Sequence, residues 1–393
     1  MNLLIKHVLL RDRRVDVLIE GNTISSVADH LFVDEGRVER VIEGNDYAIF
    51  PALYNTHTHA AMTLLRGLAD DMPLMEWLSE HIWPFEAKMQ RSDFDKGNQL
   101  AIQEMKESGT AFFNDMYFEQ DAIVQAVLAS GMRAAVGLTI LEGHPKADFE
   151  QQLSFLKAWK DPTHGRLQLV VSPHALYTVS REQLCRAADV ARENHLKLHI
   201  HLSETQKEVK DCVKMHGVRP VEYLDNLGLL GPDLIAAHCV HINQQEADLL
   251  AERGVSVAHC PCSNMKLGSG VFPYERMIRA GVRVCLGTDG ASSGNNLDMR
   301  EAMKFAALLA KSGGDAALLP AEQVLTWATE NGAAAFGIKA GRIEPGYLAD
   351  FMLVDLTDSR MRPLYNATSN LVYAADRCCI KYVFCDGEII HVR

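Results

Sequence analysis

His57 and His59 follow the apolar run from Tyr47 to Tyr54 and place two imidazoles two residues apart. Successive side chains on a β-strand point to opposite faces, so this pair shares one face and can grip a single metal ion. Three further strand-like runs end in metal-ligand types: Leu196-Lys-Leu-His-Ile-His201, Leu234-Ile-Ala-Ala-His238 and Val282-Arg-Val-Cys-Leu-Gly-Thr-Asp289. Imidazoles with a carboxylate suit zinc, iron or manganese, and such an ion makes water acidic enough to supply hydroxide near neutral pH. Ligands at the ends of separate strands place that chemistry at the mouth of a barrel.

The elements that must carry these ends recur along the chain. Short apolar or β-branched runs cover Phe50 to His59, Thr110 to Met116, Arg133 to Ile140, Leu167 to Ser172, Lys197 to His201, Leu234 to His238, Val255 to His259 and Val282 to Asp289. Between them lie stretches with apolar residues at helical spacing, such as Arg181 to Arg192 and Asn243 to Glu252. Gly109, Gly131, Gly254 and Gly281 stand just before strands, where a left-handed residue closes a helix. Eight strand and helix alternations predict a (β/α)8 TIM-type barrel over residues 50–342, with catalytic groups at the C-terminal strand ends. Residues 1–49 and 343–393 read differently, as short alternating runs split by turns such as Gly21-Asn22 and the hairpin signal Asp386-Gly387. Together they predict one small β-sandwich built from both termini.

Bulk properties restrict the partners. A net charge of −12 over 393 residues argues against nucleic acid, whose phosphates need a surplus of lysine and arginine. Nine cysteines without a regular framework read as reduced thiols, and no apolar run is long enough to span a bilayer. The first residues show no signal-peptide pattern. The expectation is a cytoplasmic protein acting on a small molecule, with no nucleic-acid or membrane partner and with self-association left open.

Taken in order, the stretches Pro51-Ala-Leu-Tyr-Asn-Thr-His-Thr-His59, Met62-Thr-Leu-Leu-Arg-Gly67, His201-Leu-Ser-Glu-Thr205, Ala237-His-Cys-Val-His241, Ser263-Asn-Met-Lys-Leu-Gly268 and Gly287-Thr-Asp-Gly290 resemble the amidohydrolase superfamily. Within it they resemble the branch of 5′-methylthioadenosine and S-adenosylhomocysteine deaminases, which also includes guanine deaminases and chlorotriazine hydrolases. The resemblance implies one divalent ion per chain, most often zinc, held by His57, His59, His201 and Asp289. It implies proton transfer by Glu204 and His238, with Asp289 assisting, and a nucleoside pocket lined by Trp77, Glu86 and His174, Glu86 binding the ribose hydroxyls. The implied reaction is hydrolysis of an adenosine-type nucleoside to its inosine analogue and ammonia. Hydrolysis of another substituted N-heterocycle, as in guanine deaminases or chlorohydrolases, is the alternative, followed by a non-catalytic scaffold barrel.

Each residue also has a plainer reading. His199 has the same strand parity as His201; His201 is preferred as the residue at the strand end, with His199 packing or supporting the ligands. The same choice separates His238 from His241. His259 reads as structural, and Asp289 alone could be a helix cap. Cys260 and Cys262 lack a second ligand pair, so a thiolate zinc site is not expected. Trp77 and Glu86 would otherwise pass as a core aromatic and a solvated carboxylate. Relatives that accept S-adenosylhomocysteine hold its carboxylate with arginines after the third strand. Here the segment from Gly137 to Glu150 has none: Leu138 stands where the first is expected and Lys146 is the one cation. Neutral 5′ groups are therefore expected to be preferred.

Overall fold

In the computed structural model, which describes residues 2–33, 36, 38–163 and 165–393, the N-terminal alternating runs become β1 (Leu3–Leu10), β2 (Arg13–Glu20), β3 (Thr23–Ala28), β4 (Arg40–Glu43) and β5 (Tyr47–Pro51). The strand-and-helix region follows with β6 (Leu53–Thr58), β7 (Thr110–Asp115), β8 (Arg133–Ile140), β9 (Leu167–Pro173), β10 (Lys197–Leu202), β11 (Leu234–His238), β12 (Ser256–His259) and β13 (Arg283–Leu286). The C-terminal segment adds β14 (Phe351–Asp355), β15 (Ile380–Cys385) and β16 (Glu388–Val392).

Strands β6 to β13 pair in sequence order as one parallel sheet. Alternation explains why they read as nearly continuous apolar runs, because both faces are covered. In β8, Ala134, Val136, Leu138 and Ile140 pack outward among the helices, while Ala135 turns inward. Ala135 joins Tyr54, Phe112, Val170, Ile235, Ala258 and Cys285 in a layer that fills the barrel floor beneath the candidate ligands. The sheet closes at the β6–β13 seam through one backbone hydrogen bond, from the Asp289 amide to the His57 carbonyl at 3.0 Å, and through side chains. Thr56 Oγ1 donates to the Leu286 carbonyl at 2.8 Å, and Asn55 exchanges two hydrogen bonds with Thr288 at 2.7 and 3.0 Å. Gly287 is required at that seam: a Cβ there would lie 2.8 Å from the Cβ of His57 and 3.0 Å from its backbone.

The terminal strands form a second, mixed sheet in the order β16-β15-β14-β5-β1-β2-β3, with β4 also beside β1. Leu3, Val17, Ile24, Ile49, Phe351 and Phe384 share one core there, so the two ends of the chain stabilise each other. Asp386 and Gly387 form the expected two-residue hairpin, both with positive φ (57° and 77°). The run read as one strand from Phe50 to His59 is in fact two. Phe50 and Pro51 pair with β14, after which the Ala52 amide still donates to Asp350 while the Leu53 amide donates to Gly109. The backbone changes partner at Ala52, and uniform apolarity on both sides hides the change.

A buried ion-pair network joins the two sheets. Arg133, with its side chain 4 % exposed, donates to Asp350 at 3.1 Å and to Asp386 at 2.9 Å, while the Tyr54 hydroxyl also donates to Asp350. Removing one partner leaves a buried charge unpaired, so Arg133→Met is expected to cost ~3–5 kcal/mol, read from urea unfolding. The exposed Arg91–Asp95 pair offers a comparison worth ~0–1 kcal/mol. Equal losses for the two would contradict the network's role. No helix among the described residues is long and apolar enough to cross a membrane.

Candidate active site

The C-terminal ends of β6, β10, β11 and β13 turn sharply at the barrel mouth. Ser203, His238 and Asp289, each at or just beyond a strand end, have φ of 51°, 71° and 64°. Left-handed backbone is uncommon for residues with a side chain and persists where the surrounding structure enforces it, as at functional sites.

Hydrogen bonds fix which nitrogen of each imidazole carries its proton. His199 donates from Nδ1 to the Ile235 carbonyl at 3.0 Å, which leaves its Nε2 to accept from His57 Nδ1 at 2.7 Å. His59 donates from Nδ1 to the Met116 carbonyl at 2.6 Å, and His201 donates from Nδ1 to the His174 carbonyl at 2.8 Å. Three Nε2 lone pairs therefore face one another, and that of His57 is buried without a hydrogen-bond partner. His59 and His201 bring their Nε2 atoms within 3.4 Å.

Asp289 completes the group. Its Oδ2 accepts from Ser263 at 2.6 Å and Ser293 at 3.0 Å, which aims Oδ1 at the Nε2 atoms of His57 (3.4 Å) and His59 (3.1 Å). Burial holds His57 down at about 4, and burial with His174 nearby keeps His201 well below the usual imidazole range. His59 differs: burial works against its charge, yet Asp289 and the Met116 carbonyl hold it at about 9. Asp289 thus favours one positive charge beside His59, either a second proton on that ring or, in its place, a metal ion on its Nε2 lone pair. Tetrahedral donors on one zinc ion lie about 3.4 Å apart, close to the His59–His201, His57–Asp289 and His59–Asp289 separations, and His57, His59 and His201 all lie within 4.8 Å of one another, so these donors suit a divalent cation. His238 also comes within 4.8 Å of His57 and Asp289.

Glu204 and His238 stand beside this centre. His238 Nδ1 meets Asn264 Oδ1 at 2.8 Å, leaving its Nε2 facing Glu204 Oε2 at 3.8 Å. Burial raises Glu204 above the ordinary carboxylate range, partly offset by His238. A carboxyl group so placed holds its proton more readily than an exposed one. Glu208 clamps the turn that presents Glu204, accepting from the Ser203 and Glu204 amides at 2.7 and 2.8 Å.

The cavity over these groups is walled by aromatic side chains, among them Trp77, Trp83, Tyr117, Phe118 and Tyr177. Trp77, in the helical segment Trp77–Ile82, presents an Nε1 donor with no partner. Glu86, at the end of Trp83–Glu86, is buried and pushed up to about 7 by that burial, and it accepts from the Tyr117 hydroxyl at 2.7 Å. His174 follows β9 and lines the same space, its ring 4.7 Å from His201 and its Nδ1 paired with Thr178 at 2.8 Å. All the residues singled out in the sequence as ligands, proton carriers and pocket walls therefore lie around one cavity, except that His57 sits beneath it, enclosed by the other imidazoles. His199 lies behind His57, and His241 bonds to the Ser269 carbonyl away from the cavity lining.

Two features correct or extend the reading. Leu138 faces the outer helices, so Thr139 and Leu141 are the residues that β8 and its loop present to the cavity. Among the described residues lining the cavity there is still no lysine or arginine. Lys146 points to Glu119 at 3.9 Å and packs over Phe94. Asn264, Ser263, Ser293, Glu208 and Tyr117 escaped notice as supporting groups, although Ser263 and Asn264 opened one of the quoted motifs.

The model of the amidohydrolase family matches residues 48–390. The chain is 45 % identical over 383 residues to the 5′-deoxyadenosine deaminase of Methanothermobacter thermautotrophicus, covering 96 % of this chain and 89 % of that one. It is 47 % identical over 375 residues to 5-methylthioadenosine/S-adenosylhomocysteine deaminase 1 of Archaeoglobus fulgidus, covering 95 % and 88 %. A solved adenosine deaminase from Xanthomonas campestris with bound zinc superimposes with a TM-score of 0.92 at 38 % identity, covering 98 % of this chain and 92 % of that one.

Proposed function

The chain belongs to the amidohydrolase family, and from that premise we propose that it is a metal-dependent deaminase that hydrolyses an adenosine-type nucleoside to the inosine analogue and ammonia. The observation that carries this reading is the convergence of three imidazole lone pairs and one carboxylate oxygen beside a buried carboxyl group with a raised pKa. His57, His59, His201 and Asp289 would hold one divalent ion, zinc by preference, with iron or manganese able to use the same donors. Bound there, the ion supplies Lewis acidity that brings the ionisation of water into the neutral range.

The chain's own groups move the protons. Water adds to C6 of the adenine ring, giving one of its two protons to Glu204, which delivers a proton to N1 and so ends as it began. Asp289 and His238 accept the proton left by water and pass it to the departing amine. The C6–N bond then breaks, ammonia leaves, and C6 keeps the oxygen. Asn264 keeps the His238 proton on Nδ1, so Nε2 is the acceptor. Trp77 and His174 bound the ring, and aromatic walls exclude water from the adduct.

Glu86 would bind the ribose hydroxyls. Hydrogen bonds to a charged group contribute ~1.5–3 kcal/mol, so Glu86→Ala is expected to lower kcat/KM for ribosides by roughly 10- to 100-fold. Free adenine lacks the hydroxyls and should be largely spared. A uniform loss across ribosides and adenine would contradict this role. The reading as a whole is tested by incubating metal-replete protein with adenosine, 5′-deoxyadenosine and 5′-methylthioadenosine and following inosine-type product against ammonia. Equal yields of both are expected.

A further inference from the structure

A second group of metal-ligand residues lies on the terminal sheet rather than in the barrel. Between the pairs Ile5–Val17 and Val8–Val15, two residues of β1, Lys6 and His7, stand opposite one residue of β2, Asp16. This is a β-bulge, a device that re-aims a side chain, and His7 takes a left-handed φ of 55° in it. Arg14 holds the bulge by donating to the His7 carbonyl at 3.0 Å. Asp16 is buried, and its carboxylate is fixed from two sides: Oδ1 accepts from the His7 amide at 2.8 Å and Oδ2 from the Leu31 amide at 2.9 Å. Those amides belong to the two segments that carry the histidines. His30, just beyond β3, brings its Nδ1 to 3.3 Å from Asp16 Oδ2, and its ring lies 6.4 Å from that of His7.

We propose that His7, Asp16 and His30 form a second metal site, selective for divalent transition ions such as zinc. One donor atom from each residue lies within 4.8 Å of the other two, the same bound that holds for His57, His59 and His201. The separation of His30 from Asp16 already has the spacing of two donors on one zinc ion. His7 and His30 are exposed, so their rings can turn inward over the remaining distance and water can complete the coordination. Two imidazoles and a carboxylate suit zinc, nickel or copper, whereas magnesium and calcium take oxygen donors. A buried carboxylate is favoured by a cation beside it. His30 supplies one only when protonated, while a metal ion supplies one to neutral imidazoles. The ion ties β1, β2 and the segment after β3 together at the edge of the terminal sheet. With three protein donors, two of them on exposed rings, this site binds more weakly than the four-donor centre in the barrel. The inference does not depend on the deaminase reading.

The test is the zinc content of untagged protein, measured by equilibrium dialysis against buffered free zinc, with circular dichroism to confirm folding. His7→Gln and His30→Gln should each bind one equivalent less than the native chain, the missing one being that taken up at higher free zinc. His201→Ala, which removes a donor in the barrel, should keep this equivalent, and so should His195→Gln, which alters an exposed histidine outside the cluster. Excess magnesium should leave it in place. Equal zinc content in the native chain and in either His7→Gln or His30→Gln would overturn the proposal. Loss of the same equivalent in His195→Gln, or its displacement by magnesium, would overturn it as well. Because His201→Ala reports on the barrel and His30→Gln on the terminal sheet, failure at one site is told apart from failure at the other.

Discussion

His201→Ala and Asp289→Ala should each lose the bound metal and, with it, all measurable deaminase turnover. Each removes a donor from a set whose separations of 3.1 to 3.4 Å suit one small cation. Asp289 carries a second burden, since its charge faces His57 and His59 together. Its loss leaves neutral imidazoles alone to hold a divalent ion in a buried site, which the desolvation of that charge opposes. His199→Ala offers the sharp contrast. His199 supports His57 from behind, so its loss should weaken metal binding by roughly 10- to 100-fold rather than abolish it. Metal content by elemental analysis after dialysis, read beside circular dichroism to confirm folding, checks both. Full metal occupancy in His201→Ala would transfer the ligand role to His199.

Glu204→Gln should keep the metal and lose most of the rate. The amide retains the shape of the carboxyl group and its contact with Ser269, seen at 3.3 Å, but cannot carry a proton. General acid–base groups typically contribute ~10²- to 10⁴-fold, and the drop in kcat is expected in that range with KM little changed. The raised pKa of Glu204 has burial as its main cause, with His238 pulling the other way. An isosteric amide removes the titration while preserving the packing, so near-normal turnover by Glu204→Gln would take this residue out of the mechanism.

The parts of this site that could be read from the sequence were those that obey strand geometry. His57, His201 and His238 fall at or next to strand ends, where the apolar runs placed them, whereas Asp289 lies beyond β13, which stops at Leu286 rather than running to Asp289. His199 could not be told from His201 by parity, because both face inward; what separates them is depth, with His199 one step lower, level with Ile235. The inward and outward faces of β8 were also legible, since Ala134, Val136, Leu138 and Ile140 alternate with smaller or polar residues. Placing Leu138 in the pocket by resemblance overrode that pattern, and the structure favours the pattern. What the sequence hid lies outside the strands. Ser263 and Asn264, in the short helix Pro261–Lys266, and Ser293, in a turn, reach Asp289 and His238 along paths that depend on tertiary packing. The boundary at Ala52 was hidden for another reason: the residues on either side are equally apolar, and only the exchange of hydrogen-bond partners marks it.

The central claim is that one divalent ion at this cluster makes the chain a deaminase of adenosine-type nucleosides. Titrating chelator-stripped protein with zinc while recording ammonia release from 5′-methylthioadenosine tests it most directly. The rate should rise in proportion to zinc, level off near one tightly bound equivalent per chain, and vanish again on chelation. Ammonia release that ignores the metal, or none from any adenine nucleoside at full metal loading, would contradict the account.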